Sequence, residues 1–303
     1  MDPLDLLGTA LGLLLGPMLL GLIGRTKALL AGRRGPPLLQ PYFDIAKLLR
    51  KGVVLSTTTT AVFRIAPTVA LAASVGVLLL IPLGPLDGPL AMVGDLLLLA
   101  GLLVVVRLCL VFGALDTGSA FEGLGASREL LYGALLEPTV LLALLALLVQ
   151  GGVLSISDAL PAAALWAGGT AGTALLLVLC ALVFVLLVES ARLPFDDPAT
   201  HLELTMVHEV LVLDHSGPDL AFLEYGRAVR LWAIGALLVG VVVPSVTGSW
   251  LLGVLLTIVG LVVLSVGIGV LESTLARLRQ VRVPTMLLGA SALTLVALVI
   301  LVR

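Results

Sequence analysis

The sequence predicts an all-α integral membrane protein with about eight transmembrane helices. Of its 303 residues, 60% are hydrophobic and 12% are charged, whereas soluble domains carry about 25% charged residues. The mean hydropathy is +1.21, and the apolar residues form long unbroken runs rather than the short alternating segments of a membrane barrel. Water could not cover so much apolar surface on a globular protein. The composition therefore argues against a secreted enzyme, a nucleic-acid-binding protein and a disordered scaffold.

Eight apolar runs are candidates for the membrane spans, because a helix of about 20 residues crosses about 30 Å of hydrocarbon. The sixth run is short unless it continues to about Ser249. Asp2 and Asp5 stand where a secretory signal needs positive charge, so we expect the first run to be retained. The runs cover residues 4–23, 61–83, 96–114, 131–149, 165–188, 231–243, 251–271 and 284–302.

The basic residues predict the orientation of these spans. Fifteen of the 17 Lys and Arg residues lie in or beside the loops that join an odd-numbered run to the next even-numbered one, and the alternate loops hold acidic residues only. The positive-inside rule then places both termini outside and these four loops in the cytoplasm. We expect one transmembrane domain over residues 1–303 in the inner (cytoplasmic) membrane. The long charged cytoplasmic loops are at about 24–60, 115–130, 189–230 and 272–283.

The chain is not expected to bind a metal or a redox cofactor itself. Cys109 and Cys180 both lie inside apolar runs and lack the spacing of zinc or iron–sulfur ligands. His201, His208 and His215 are spaced seven apart, which is about 10.5 Å along a helix. No phosphate-binding or dinucleotide-binding glycine pattern is present. Any redox centre should therefore belong to another chain.

The first inner loop contains a predicted amphipathic helix that begins near Gln40 and ends near Lys51. Apolar and charged residues alternate there at helical spacing. One interpretation is a helix that lies on lipid headgroups. The other is a docking surface for a soluble partner, carried by Gln40, Lys47, Arg50 and Lys51.

The second inner loop leads to Glu137, an ionisable residue inside the fourth predicted span. A charge at that depth costs about 2.5–3.5 kcal/mol on insertion scales and usually faces a polar path. Pro138 follows and frees backbone groups that can bind water or protons. A structural ion pair with Arg107 of the preceding span is the alternative. The loop itself contributes the further candidates Glu122, Arg128 and Glu129.

The third inner loop carries the densest group of titratable residues. Burial raises the pKa of a carboxylate, and a neighbouring charge can raise or lower it, so such groups can exchange protons near neutral pH. Leu, Met and Val residues are interleaved with the acids, which indicates a segment packed in protein. The candidates are Glu189, Arg192, Asp196, His201, Glu203, His208, Glu209 and Asp214.

These segments resemble the NADH dehydrogenase subunit 1 family of respiratory complex I. Residues 40–49, 125–129 and above all 189–196, which read ESARLPFD, carry the resemblance. Residues 198–217 are more similar to one branch, the membrane subunit of group 4 nickel–iron hydrogenases, as in formate hydrogenlyase and hydrogenase 4. The resemblance covers nearly the whole chain, and its longest motif is specific.

The resemblance implies a subunit that anchors a soluble electron-transfer arm and passes the energy of electron transfer into membrane carboxylates. The implied partners are the hydrogenase large and small subunits, an iron–sulfur protein and antiporter-like membrane subunits, with the iron–sulfur clusters and the nickel–iron centre in those partners. The chain would thus be part of an oxidoreductase complex. The path that the resemblance implies for protons, or for sodium, runs through Glu137, Glu189, Arg192, Asp196, Glu203 and Glu209. The third inner loop adds Asp214 as a further coupling candidate.

Two alternatives stay open at this point. Ala191 and Leu193 replace the Asn and Ala of the complex I pattern on either side of Arg192, which weakens the expectation of a quinone tunnel but leaves a bound quinone possible. The equivalent subunit of a quinone-reducing dehydrogenase is therefore the nearer alternative. A free-standing secondary transporter is the more distant one, because transporters often show internal repeats and the two halves of this chain show none.

Overall fold

The computed structural model describes residues 4–160, 165–166, 168–196, 207–243, 249–275 and 278–303. Nearly all of these residues are helical, and no strand occurs in the ranges described. Eight of the helices are long and apolar enough to cross a membrane. The predicted fold class and the predicted number of spans are therefore confirmed.

Ten α-helices follow one another along the described chain, and two of them, α2 and α7, are too short to span. A 3₁₀ turn at Gln280–Arg282 leads into the last helix. The bounds are α1 Asp5–Leu30, α2 Gln40–Leu49, α3 Ala61–Leu80, α4 Asp95–Asp116, α5 Ala120–Gly151, α6 Gly169–Glu189, α7 His208–Leu211, α8 Gly217–Val242, α9 Trp250–Thr274 and α10 Val283–Val302.

The sixth span differs most from its sequence prediction. The apolar run begins near residue 231, but α8 begins at Gly217. The backbone explains the difference, because Gly217 has a φ of 55° and Pro218 occupies the first helical turn, where its missing N–H costs nothing. The helix therefore starts about four turns before the apolar run, and it includes Arg227 and Arg230. The sequence predicts Arg227 and Arg230 in the third inner loop.

Helix α8 is the most buried of the eight spanning helices. It packs against α1, α3, α6 and α9, while α3 also packs on α4, and α10 packs on α5 and α6. Trp232 in the middle of α8 is almost fully buried. Water cannot form hydrogen bonds with backbone groups inside the hydrocarbon layer. The helices that surround Trp232 therefore form their backbone hydrogen bonds internally.

The predicted inner loops, which carry most of the basic residues, meet at one end of the bundle. We call it the basic end. Asp116 at the end of α4 accepts hydrogen bonds from the Thr60 backbone N at 2.6 Å and from the Phe63 backbone N at 3.2 Å. The start of α3 is thereby tied to the end of α4. The backbone N of Leu278 donates to the carbonyl of Pro194 at 3.2 Å, which joins the segments after α6 and before α10.

Candidate functional site

A single arginine inside the bundle contacts three carboxylates, and we call this group the Arg107 centre. Arg107 Nε lies 3.3 Å from Glu129 Oε1, and Nη1 lies 3.1 Å from Glu137 Oε1. Nη2 forms a further ion pair with Glu189. The arginine side chain is 7% exposed. The ion pair between Arg107 and Glu137 that the sequence left as one alternative is thus present, but Glu137 shares the arginine with two other acids.

The spacing of residues along α5 builds this arrangement. Glu129, Gly133 and Glu137 are four residues apart, so they lie on one face of the helix. Gly133 stands between the two acids, and a Cβ there would lie 2.4 Å from Cδ and 2.7 Å from Nε of Arg107. The missing side chain at 133 therefore lets the arginine lie across α5 and reach both carboxylates.

The charges of the Arg107 centre do not balance. Three carboxylates face one guanidinium, and the second buried cation nearby, Arg230, donates from Nη1 to Ser74 Oγ at 2.9 Å. Like charges repel strongly where the dielectric constant is low. A proton bound to one carboxylate relieves that excess, and the guanidinium can turn from one acid toward another as the proton moves. The Arg107 centre thus has more acids than guanidinium groups, and its arginine has three carboxylate partners.

Two cavities adjoin the Arg107 centre. The smaller, about 30 Å³, joins Glu129 and Glu189 to Asp196, His208 and Arg230, and a volume of that size holds about one water. The larger, about 230 Å³, begins at Arg107, Glu137 and Glu189 and continues between apolar residues of α4 and α5. The small cavity thus joins the Arg107 centre to polar residues toward the basic end. The large cavity leads from the centre between apolar residues toward the side of the bundle.

Asp196 and His208 form the polar group beyond the small cavity. Asp196 accepts a hydrogen bond from the backbone N of His208 at 2.8 Å, which ties the turn after α6 to the start of α7. Burial, with Arg227 and Arg230 nearby, lowers the pKa of His208 well below its usual value. The imidazole is therefore neutral at physiological pH and able to donate or accept one hydrogen bond.

Glu209 belongs to a second ion-pair group at the basic end. Arg227 lies 3.4 Å from Glu209 Oε1 and 2.6 Å from Glu224 Oε2. Burial raises the pKa of Glu209, although Arg227 opposes that effect. Glu209 can therefore exchange protons closer to neutral pH than a solvated glutamate.

Arg192 lies in the turn after α6 and pairs with Glu272 of α9 at 3.5 Å. Its neighbour Ala191 has a φ of 49°, a left-handed conformation that Asn adopts more readily than Ala. The complex I pattern has Asn at position 191. The backbone conformation at this position therefore favours the Asn of that pattern over the Ala of this chain.

Several of the candidates lie outside the Arg107 centre. Glu122 accepts from the Asp214 backbone N at 3.3 Å and from Thr117 Oγ1, so it joins the start of α5 to the turn before α8. Arg128 follows on α5 and is half-buried, and Gln40 donates to Asp44 within α2. Three predicted docking residues are exposed, namely Lys47, Arg50 and Lys51. His201 and Glu203 lie outside the described residues.

The described residues do not fit an iron–sulfur or nickel–iron centre. Within those ranges no three His, Cys, Asp or Glu side chains lie close enough together to hold a metal ion. Cys109 is half-buried on α4 and Cys180 is exposed on α6. The residues present fit a quinone better in one respect, because a cavity of about 430 Å³ between α1, α2 and α8 has apolar residues in its lining, together with Arg192, Arg227 and the acids Asp44, Glu209 and Glu224, and its arginines could donate hydrogen bonds to a carbonyl oxygen.

The sequence interpretation missed four residues that the structure places at these sites. Gly133 was detectable, because a glycine midway between two acids at helical spacing indicates a close approach. Arg230 was assigned to a loop, since the apolar run began after it. Lys27 and Glu272 left no local signal, because they meet each other only across α1 and α9.

Comparison with known proteins identifies the family. A family model described as NADH dehydrogenase matches residues 5–303. Formate hydrogenlyase subunit 4 of Escherichia coli (strain K12) is 33% identical over 269 residues, which are 87% of this chain and 86% of the relative. The chain belongs to the NADH dehydrogenase family.

A second relative and a solved structure add to this comparison, the first in sequence and the second in fold alone. Hydrogenase-4 component C of Escherichia coli (strain K12) is 31% identical over 271 residues, 88% of this chain and 84% of the relative. A chain of the membrane-bound sulfane sulfur reductase (MBS), an archaeal respiratory membrane complex, shares the fold with a TM-score of 0.78, 22% identity and 98% coverage of both chains. This family member is therefore a multi-pass, complex I-like membrane subunit, and the resemblance found in the sequence is confirmed.

Proposed function

We propose that the chain is the membrane anchor and ion-coupling subunit of a complex I-like energy-converting nickel–iron hydrogenase in the inner membrane. Its partners would be the hydrogenase large and small subunits, an iron–sulfur protein and antiporter-like membrane subunits. The two curated relatives are named as parts of a formate hydrogenlyase and of hydrogenase-4. These names support a hydrogenase rather than any other complex I-like assembly.

The observation that carries the coupling role is the sharing of Arg107 by three carboxylates. Glu189 ends α6, directly before the turn that holds Arg192 and Asp196. A charge that changes at the basic end would alter the proton affinity of Glu189 through a low dielectric. Because Glu137 binds the same guanidinium, a proton taken up at one acid changes the pairing of the other. Coupling then needs only small movements of one side chain.

The side of the bundle near Glu137 supports the proposed antiporter-like partners. The Glu137 side chain is 41% exposed in the isolated chain, and the cavity of about 230 Å³ begins beside it. An ionisable side chain open to lipid is costly. A membrane partner that covers this face would shield Glu137 and receive the ion from it.

The quinone-reducing alternative has one observation in its favour, the cavity between α1, α2 and α8. Arg192 and Arg227 would hold the carbonyl oxygens there, and a quinone would supply two-electron acceptor chemistry. Purification of the native complex separates the two proposals. Nickel with iron–sulfur clusters supports the hydrogenase, whereas a nickel-free complex that reduces quinone supports the alternative. Both curated relatives are named as parts of assemblies, which argues against a free-standing transporter.

Glu189→Gln in the native complex tests the coupling role. The variant keeps the shape of the side chain and a hydrogen bond to Arg107, but it cannot carry a proton as an acid. We expect hydrogen-linked electron transfer to continue while ions moved per electron pair in inverted vesicles fall by about 100-fold or more, as for a lost charged partner of several kcal/mol. The matched control is Asp158→Asn, which changes an exposed acid.

Unchanged ion movement in Glu189→Gln, with the complex assembled, would refute the coupling role. The vesicles are assayed with an acridine dye that reports a pH gradient and, separately, with radioactive sodium. Acidification without sodium uptake assigns the proton as the coupling ion, and sodium uptake that survives a protonophore assigns sodium.

A further inference from the structure

A buried carboxylate outside the Arg107 centre joins three segments of the basic end. Glu272 lies in the last turn of α9, and its side chain is 0% exposed. Its Oε2 lies 2.8 Å from Nζ of Lys27 on α1, and its Oε1 lies 3.5 Å from Nη1 of Arg192 in the turn after α6. One acid thus forms ion pairs with two cations from different parts of the fold.

The packing of α1 on α9 fixes this acid in place. Gly269 lies one turn before Glu272 on the same face of α9, and a Cβ there would lie 2.7 Å from Cβ of Thr26. Thr26 directly precedes Lys27. The close approach at Gly269 therefore brings the lysine to the carboxylate, and it leaves Glu272 little freedom to move.

The two cations depend on Glu272 to different degrees. Lys27 is 29% exposed, so water can solvate its ammonium group without the acid. Arg192 is buried, and burial lowers its pKa while Glu272 opposes that effect. An arginine stays protonated in proteins, so it needs a counter-ion when it is removed from water. Arg192 is therefore the partner for which the acid matters.

Arg192 pairs with Glu272 through Nη1 and also lines the cavity of about 430 Å³, together with Glu209, Glu224 and Arg227. Its guanidinium thus lies between Glu272 and this second acidic group. The position of that guanidinium depends on which acid holds it more strongly. A change of charge in the cavity would act on Arg192 against the fixed attraction of Glu272.

We propose that Glu272 is a positioning residue for ion coupling, which holds Arg192 at the cavity wall, and that Lys27 is its water-accessible counter-ion. The inference rests on the proposed function, in which Arg192 belongs to the coupling path. Glu272 sets the rest position from which Arg192 responds. Without it, Arg192 pairs permanently with Glu209 or Glu224 and no longer reports a change of charge.

Variants of the pair in the native complex test this role. In Glu272→Gln we expect ions moved per electron pair to fall by about tenfold, as for a lost charge-assisted hydrogen bond, with electron transfer within about twofold of the parent. Lys27→Met alone should lower the ratio by less than about threefold, because water already solvates the lysine. Arg25→Gln is the matched control, since it removes an exposed charge from the same end of α1.

The double variant Lys27→Met with Glu272→Gln separates positioning from simple charge balance. If Glu272 acts through Arg192, the double variant is as defective as Glu272→Gln. Recovery to the level of Lys27→Met would overturn the proposal, because it would show that the acid only neutralises the lysine. Glu272→Asp keeps the negative charge. We expect it to recover more than half of the ions moved per electron pair that Glu272→Gln loses.

Two comparisons keep the test decisive. If Glu272→Gln does not assemble, Arg192→Lys carries the test, since it keeps the charge but cannot reach both acids, and an unchanged ratio there overturns the proposal. Glu189→Gln is measured in the same vesicles. A loss in Glu189→Gln with none in Glu272→Gln refutes only this inference, whereas no loss in either refutes the proposed function as well.

Discussion

Two sites on α4, one at its first residue and one in its middle, show how differently this fold treats a carboxylate. Asp95 begins the helix and is fully buried. It accepts hydrogen bonds from Ser155 Oγ at 2.9 Å and from the Ile156 backbone N at 3.0 Å. In the middle of the helix, Arg107 is shared by three carboxylates. The bonds at Asp95 join the start of α4 to a loop, whereas the shared arginine leaves charge that can be redistributed.

The comparison teaches that burial of a charge does not by itself indicate function. A buried acid whose hydrogen bonds are satisfied by a backbone N–H and a hydroxyl is stable in one state. Three acids around one cation can pair with it in more than one way, so such a site has more than one possible arrangement. We expect substitutions at the two sites to separate stability from ion movement.

Removal of the shared cation should have the largest effect. Arg107→Gln leaves Glu129, Glu137 and Glu189 in a low dielectric without their counter-ion. We expect a loss of about 3–5 kcal/mol of stability, the usual cost of breaking a buried pair, together with loss of ion movement. Thermal unfolding of the purified complex and the vesicle assay measure the two effects. A stable complex with normal ion movement would show that the centre is an ordinary structural pair.

His215 is a second buried titratable group, after Asp95, that lies outside the Arg107 centre. Its ring stacks on Phe63 with centroids 4.0 Å apart, and burial lowers its pKa from 6.5 to about 4. Between those values the unfolded chain binds a proton that the folded chain does not, so stability falls as the pH falls through this window. The loss should reach about 3 kcal/mol at pH 4.

His215→Phe keeps the stacked ring and removes the titration. We expect the variant to lose less stability than the parent between pH 6.5 and pH 4, with ion movement at pH 7 unchanged. Thermal unfolding across the pH range measures the difference. The same pH dependence in both proteins would show that another group causes the acid sensitivity.

Asp95→Ala should give the smallest of the three losses of stability. It leaves Ser155 Oγ and the Ile156 backbone N without their acceptor, which costs about 2 kcal/mol. Because Asp95 is not among the residues of the proposed coupling path, ions moved per electron pair should not change in complexes that assemble. Asp158→Ala, an exposed acid, is the control. A lowered ratio in Asp95→Ala alone would contradict the division between the two sites on α4.

The number of spans and much of the site could be predicted because both depend on local patterns. Apolar length alone gives eight spans, and an acid beside Pro138 inside a span indicates a polar environment. The start of α8 could not be predicted from hydropathy, since Arg227 and Arg230 interrupt the apolar pattern but remain helical. The burial of Glu272 was also beyond the sequence, because its partners Lys27 and Arg192 are brought to it only by the packing of α1 on α9 and by the turn after α6.

The central claim is that Arg107 couples ion movement because it can reach three acids across Gly133. Gly133→Ala tests this most directly, since it changes no charge and displaces only the arginine that lies 2.4 Å from the added Cβ. Gly123→Ala on the same helix is the control, because a Cβ there meets nothing within 4 Å. We predict about a tenfold fall in ions moved per electron pair for Gly133→Ala, equivalent to about 1.4 kcal/mol, and no change for the control. An assembled Gly133→Ala complex with the parent ratio would contradict the claim.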